Sequence, residues 1–214
     1  MNQDQIKQLN EAVEAVKTRK IENVYFVACG GSKAIFDPAQ FIFDRETTLP
    51  SFVYNANEFI HRCPKGLGEN SLVVTCSHSG NTLETTRATQ LAGDKGALTI
   101  SFSYRVDSPL WKATQHPIYY VWGPESDPGD NNNGMLYRLV FSILNVLQPN
   151  EKYERAIKAC DNLGKVYAAN KAKFAESAKA FGKKYKNNKL IYTMSSGPCY
   201  GVAYSFAICL LQEI

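Results

Sequence analysis

Short, unbroken apolar runs alternate with amphipathic segments over the first two thirds of the chain. The runs lie at 24–28, 51–54, 72–76, 97–102 and 118–122. Their length and their content of β-branched and aromatic residues predict buried strands. Between them the apolar positions recur every three or four residues. That period predicts helices over 33–46, 83–92 and 134–147, with shorter helical turns at 56–61 and 108–114. Pro38 falls near the start of its helix, where a missing N–H is tolerated, or else it kinks the helix. Ahead of all these, Ile6, Leu9, Val13 and Val16 form one stripe of an amphipathic helix over 2–20. Strands alternating with helices predict the α/β class. The expected architecture is a three-layer α/β/α, doubly wound, parallel five-stranded sheet.

The later pattern differs. A loop rich in Gly, Pro and acids occupies 123–130, and Asn131, Asn132 and Asn133 are placed to cap the helix at 134–147. After Pro149-Asn150, residues 151–186 read as one or two polar helices rich in Ala and Lys. They form a connector between lobes or, alternatively, an ordinary surface helix. An apolar run at 190–194, the turn Ser195-Ser196-Gly197-Pro198 and an apolar helix over 200–214 then repeat the first strand–Gly–helix unit. Aligning Gly30 with Gly197 sets Glu46 opposite Glu213. The expected division is a first domain at 1–148, a connector at 149–187 and the start of a second domain at 188–214. Val202, Phe206, Ile208, Leu210 and Leu211 make the last helix apolar on most of its circumference. A core or an interface is expected to cover it. A chain ending there is expected to be part of something longer, or to associate as a homodimer or higher homo-oligomer.

Composition narrows the function. With 214 residues, 44% of them hydrophobic, a large core is expected. The net charge of +4 is modest, and its excess lies in a lysine-rich helical stretch at 165–189, which reads as a solvated face. No nucleic-acid partner is expected. The six cysteines show no metal-ligand spacing, so neither a metal nor another cofactor is expected; Cys29, Cys76 and Cys209 read as core thiols. No apolar stretch has membrane length, and no secretory leader is visible. The expected location is cytoplasmic, without a membrane partner or disulfides.

The densest chemistry lies in Ser77-His78-Ser79-Gly80-Asn81-Thr82, between a predicted strand and a predicted helix. Three hydroxyls surround a glycine that lets the backbone turn tightly. Unpaired N–H groups and the helix dipole favour an anion at such a place, and phosphate fits it. The alternative is a plain N-cap cluster.

Two segments together resemble the SIS (sugar isomerase) domain: Gly30-Gly31-Ser32 after one strand and Ser77 to Thr82 after another. The resemblance implies a phosphosugar cradle in which Ser32, Ser77, Ser79 and Thr82 supply hydroxyls. Gly31 lies in the first turn, and the N–H groups of His78, Ser79 and Gly80 assist. The segments 25–32, 57–60, 76–82 and 191–197 are in addition similar to bacterial fructosamine-6-phosphate deglycases of the double-SIS branch. Those enzymes cleave phosphorylated Amadori compounds, such as fructoselysine 6-phosphate, to a hexose phosphate and a free amine. By this resemblance Glu213 is the general base, and its apolar neighbours Leu210, Leu211 and Ile214 are expected to desolvate it. Ser195 and Gly197 line the sugar end of the site. The branch often has Gln where His78 stands, which points to positioning rather than catalysis there. Glu58 is a candidate acid or a turn cap.

The isomerase half of glucosamine-6-phosphate synthase carries a Lys where this chain has Leu210, which argues against the aldose–ketose isomerase alternative. A noncatalytic sugar-phosphate-binding module is the other alternative. The branch also has a catalytic His further on, and none of His61, His78 and His116 falls at that place. The resemblance therefore implies a chain cut within its second lobe.

Overall fold

Helix α1 (Gln3–Lys17) leads into the first strand, β1 (Asn23–Ala28), in a computed structural model that describes residues 1–124 and 126–213. A capping box starts α1: the Asn2 side chain accepts from Gln5 N–H, and the Gln5 side chain accepts from Asn2 N–H. The chain continues through α2 (Gly30–Ala34), α3 (Phe36–Glu46), β2 (Ser51–Asn55), α4 (Ala56–Arg62) and β3 (Ser71–Cys76). It then forms α5 (Leu83–Asp94), β4 (Leu98–Ser103), α6 (Pro109–Ala113), β5 (His116–Tyr119) and α7 (Asn132–Leu147).

All strand pairs are parallel, in the order β2-β1-β3-β4-β5. The strands are buried on both faces, which explains their near-continuous apolar sequences. Alternate residues serve opposite layers. Val24, Phe26, Leu72, Val74, Ile100 and Phe102 pack with residues of α1, α3 and α7. Tyr25, Val27 and Val73 pack with α4 and α5 residues, among them Phe59, Ala88 and Ala92. The three-layer doubly wound fold expected from the sequence is present.

Several local expectations change. The helix expected over 33–46 starts earlier, at Gly30, and is interrupted at Ile35. Pro38 has no N–H to give the Ala34 carbonyl, so the ladder breaks there. The fifth strand lies at His116–Tyr119 rather than 118–122. Val121 N–H donates to the Asp130 carbonyl in the following loop instead of extending the sheet. Asn131 is the N-cap of α7, its side chain accepting from Gly134 N–H, and Asn132 Oδ1 accepts from Asn133 N–H.

Beyond α7, α8 (Glu151–Ala159) packs back on it, and Tyr153 joins the main core. A 3-10 turn separates α8 from α9 (Leu163–Tyr185), which has no buried residue. The run at 190–194 forms no strand. Tyr192 is 80% exposed and Met194 91%. A strand needs a neighbour to receive its N–H and C=O groups, and no described strand pairs with this run. The last segment is α10 (Tyr200–Ser205) followed by a π-helical stretch at Phe206–Leu211, where Gln212 N–H donates to the Ala207 carbonyl.

Candidate functional site

The sheet order turns in opposite directions on either side of β1 and β3, so a crevice opens outside their carboxyl ends. Ala28 pairs with Cys76 at the last register position of the two strands. The turn beginning at Cys29 and the loop beginning at Ser77 therefore emerge side by side. Ser32 lies beside the Cys76 thiol, whose burial pushes its pKa up to about 12. Thr85 Oγ1 lies 3.9 Å from Cys29 Sγ, which ties the first turn to α5 as well. These contacts bring Gly31 and Ser32 to the 77–82 loop.

The loop is held from beneath. Ser77 N–H donates to the Phe102 carbonyl, Tyr104 N–H to the His78 carbonyl and Leu110 N–H to the Gly80 carbonyl. Gly80 adopts φ +67°, and a Cβ there would run into the Ser108 side chain and stand 2.8 Å from Ser103 Oγ. Only glycine fits this crossing between the loop and the β4–α6 segment. Gly80 N–H closes a turn on the Ser77 carbonyl at 3.1 Å, so its expected service to a ligand is replaced by an internal bond. Among the described residues, the N–H groups of His78 and Ser79 have no such acceptor.

Ser77 is buried, and its Oγ lies 2.8 Å from Thr82 Oγ1. Thr82 occupies the N-cap position of α5, yet its side chain makes no cap hydrogen bond. The first N–H groups of α5 are left facing the loop. Ser79 Oγ accepts from Asn81 N–H at 3.2 Å. Hydroxyls, loop N–H groups and a helix N-terminus thus lie together in one loop whose partial charges suit an anion. No group of three or more His, Cys, Asp or Glu side chains is placed to hold a metal ion among the described residues.

An aromatic wall, which no local sequence pattern announced in full, flanks this loop. His78 stacks on Tyr104 with centroids 5.2 Å apart and planes 7° apart, and meets Trp122 edge-on at 4.9 Å. Its Nδ1 lies 2.8 Å from the Tyr120 hydroxyl. Burial and the nearby Arg105 guanidinium lower the His78 pKa, so the ring is neutral near pH 7. Tyr120 and Trp122 stood two residues apart in an expected strand, and that spacing was the available signal.

The profile of the SIS domain family matches residues 17–148. The chain belongs to the SIS domain family. It is 46% identical over 209 residues to the fructosamine deglycase FrlB of Bacillus subtilis, covering 97% of this chain and 64% of that protein. It is 27% identical to the fructoselysine 6-phosphate deglycase of Escherichia coli, covering 94% of this chain and 58% of that one. A crystal structure described as a phosphosugar isomerase from Bacillus subtilis matches this SIS chain with a TM-score of 0.94 at 46% identity, over 96% of this chain and 63% of that one. A corresponding structure from Salmonella typhimurium gives 0.93 at 32% identity, over 99% and 64%. The chain thus spans somewhat less than two thirds of these relatives.

The other expected site residues lie apart. Ser195 and Gly197 are exposed, and Gly197 sits against the Phe41 ring of α3. The last segment of this SIS chain does reach the first turn. A Cβ on Gly31 would stand 3.4 Å from Cys209 Sγ. Glu213 follows four residues on and is exposed, as are Leu210 and Leu211. The apolar enclosure expected around Glu213 is not formed by these two, and Ile214 lies outside the described residues. Glu58 pairs with Arg62 at 2.6 Å on the surface of α4, which Asn55 caps.

Proposed function

We propose that this chain is the phosphosugar-binding part of a deglycase that cleaves fructosamine 6-phosphates to a hexose 6-phosphate and a free amine or amino acid. The observation that carries the reading is the convergence of the first turn and the Ser77–Thr82 hydroxyl pair at the switch point of the sheet. The likeness to the fructosamine deglycase FrlB supplies the reaction class.

Ser32, Ser77, Ser79 and Thr82, with the N–H groups of His78 and Ser79, hold the phosphate of the open-chain ketosamine. Anchoring the phosphate fixes the distance from the loop to C1 and C2. A base removes a proton from C1, giving the 1,2-enolamine. Reprotonation at C2 leaves an imine at C1. Water adds to C1, the C–N bond breaks, and the amine departs from the aldose 6-phosphate. Glu213 is assigned as the base, and Ser195 and Gly197 line the sugar end. The division at 1–148, 149–187 and 188–214, a cytoplasmic location and homo-oligomeric assembly belong to the same reading. No described helix is long and apolar enough to cross a membrane.

Calorimetric titration separates glucose 6-phosphate from glucose. The first should bind and the second should not. Replacing both Ser77 and Ser79 by Ala should weaken glucose 6-phosphate binding at least about tenfold, since each lost hydrogen bond to a charged group is worth about 1.5–3 kcal/mol. Incubation with fructoselysine 6-phosphate should release glucose 6-phosphate and lysine. Equal affinity for glucose and its 6-phosphate would remove the anion assignment.

A further inference from the structure

Tyr120 is wholly buried, at 0% exposure, at the end of the sheet behind the hydroxyl loop. Its burial drives the phenol pKa far up, so the hydroxyl keeps its proton. That proton needs an acceptor, because a buried unpaired donor is costly. Among the described residues the hydroxyl has one hydrogen-bond partner, His78 Nδ1 at 2.8 Å. If Nδ1 carried a proton of its own, it would donate to the phenol oxygen, and the phenol O–H, turned away, would be left without an acceptor among the described residues. Only one arrangement gives the buried phenol proton a partner: the phenol donates and Nδ1 accepts. The neutral ring then carries its proton on Nε2.

Two further contacts fix the ring plane. Tyr104 stacks on one face of the imidazole, and Trp122 meets it edge-on. The His78 carbonyl accepts from Tyr104 N–H at 3.2 Å, which anchors the backbone under the same stack. The residue itself remains exposed, so its outer edge is open to a ligand.

We infer that Tyr120 is a positioning residue that locks His78 as the Nε2–H tautomer, a neutral directional donor at the rim of the 77–82 loop for an oxygen of a phosphorylated sugar. The ligand part of this inference rests on the phosphate reading above; the tautomer part stands without it. The arrangement offers an oxygen a hydrogen bond without adding a formal charge. The same ring unlocked would divide its proton between two nitrogens and present a donor part of the time.

Nitrogen-15 NMR of the full chain labelled at histidine tests the lock directly, with His78 assigned by its disappearance in H78Q. The expected pattern near neutral pH is Nε2 protonated and Nδ1 bare, with or without ligand. In Y120F, which keeps the buried ring and removes the hydroxyl, both nitrogens should move toward averaged shifts. Glucose 6-phosphate affinity should fall about fivefold, within the range of one neutral hydrogen bond. In H78Q the amide donates without the phenol, so adding Y120F there should cost no further affinity. A protonated Nδ1 in the wild type overturns the inference, whether or not Y120F folds. So does an unchanged ring pattern in Y120F. If the wild type shows the expected ring pattern but ignores glucose 6-phosphate, the lock is upheld and the phosphate reading fails.

Discussion

Ser77 Oγ and Thr82 Oγ1 lie 2.8 Å apart, and that contact turns the N-cap hydroxyl of α5 away from its own helix. A buried serine therefore organises an uncapped helix start. Uncapped N–H groups make the folded state receptive to an anion. A ligand that binds only the folded state stabilises it, by about 2.7 kcal/mol at one hundred times its dissociation constant. Glucose 6-phosphate at that level should raise the melting temperature by roughly 5–10 °C for a chain of this size. Differential scanning fluorimetry measures the shift. Ser77→Ala should lose most of it.

Gly80 is the tightest point of the loop. Its positive φ disfavours any side chain, and the Ser103 and Ser108 hydroxyls occupy the space a Cβ needs. Gly80→Ala should destabilise the fold by about 1–3 kcal/mol through strain and overpacking. Urea unfolding measures that cost. Sugar-phosphate binding should fall more than stability does, since the displaced segment carries His78, Ser79 and Thr82.

The strands of the central sheet were legible because burial on both faces writes itself as uninterrupted apolar sequence. The switch-point loops were legible for a different reason: hydroxyls and glycines cluster where a chain must turn and bind. What failed was whatever depended on partners distant in sequence. Leu190 to Met194 has strand composition but no neighbour to pair with, so no strand forms. Thr75, Ser101 and Thr89 form a buried hydroxyl chain between β3, β4 and α5, with contacts of 2.6 and 3.0 Å, which no local pattern announces. The Tyr120–His78 bond joins residues 42 positions apart. Glu213 was identified by resemblance alone, and its surroundings as described supply no enclosure.

Glu46, the counterpart of Glu213 in the internal repeat, has a structural task. It accepts hydrogen bonds from Lys152 at 2.5 and 2.6 Å and from Tyr153 at 3.1 Å, tying α3 to α8. Lys152 leads the causes that hold its pKa below 4.5. A depressed carboxylate contributes stability that is present above its unfolded pKa and lost as pH falls through the folded one. Wild type should exceed Glu46→Gln in stability by about 0.5–1 kcal/mol at neutral pH, the upper range for a partly exposed pair. Urea midpoints should converge as pH drops below 4.5. A constant difference across that range would contradict the assignment.

Tyr167, Phe174 and Phe181 recur every seven residues along α9 and are each about half exposed. Residues at that spacing lie near one face of a helix. Exposed apolar stripes of this kind promote association. Sedimentation velocity should show self-association of the 214-residue chain that increases with concentration. Phe174→Ser with Phe181→Ser should reduce it.

The docking of the last segment turns on one proline and one glycine. Pro38 leaves the Ala34 carbonyl without its helical partner, and Gly201 packs directly against that carbonyl. A Cβ at Gly201 would also stand 2.9 Å from Pro38 Cδ and 3.1 Å from Asp37 Cβ. Backbone and ring atoms there have no room to yield. Nearby, Lys33 lies 3.7 Å from Asp37 and 5.2 Å from the centre of the Tyr204 ring, so the same junction holds a cation between the two segments. Gly201→Val should therefore release the segment that carries Cys209 to its place beside Gly31. Neither core cluster draws a residue from beyond Tyr153, so the sheet should survive the change. Limited proteolysis should cut the variant between 186 and 199 several times faster than the wild type, while far-ultraviolet circular dichroism and the main urea transition stay nearly unchanged. Equal cleavage rates would show that the Gly201 contact does not hold the segment. A joint collapse of the main transition would show that the segment supports the sheet, contrary to the separation of their contacts.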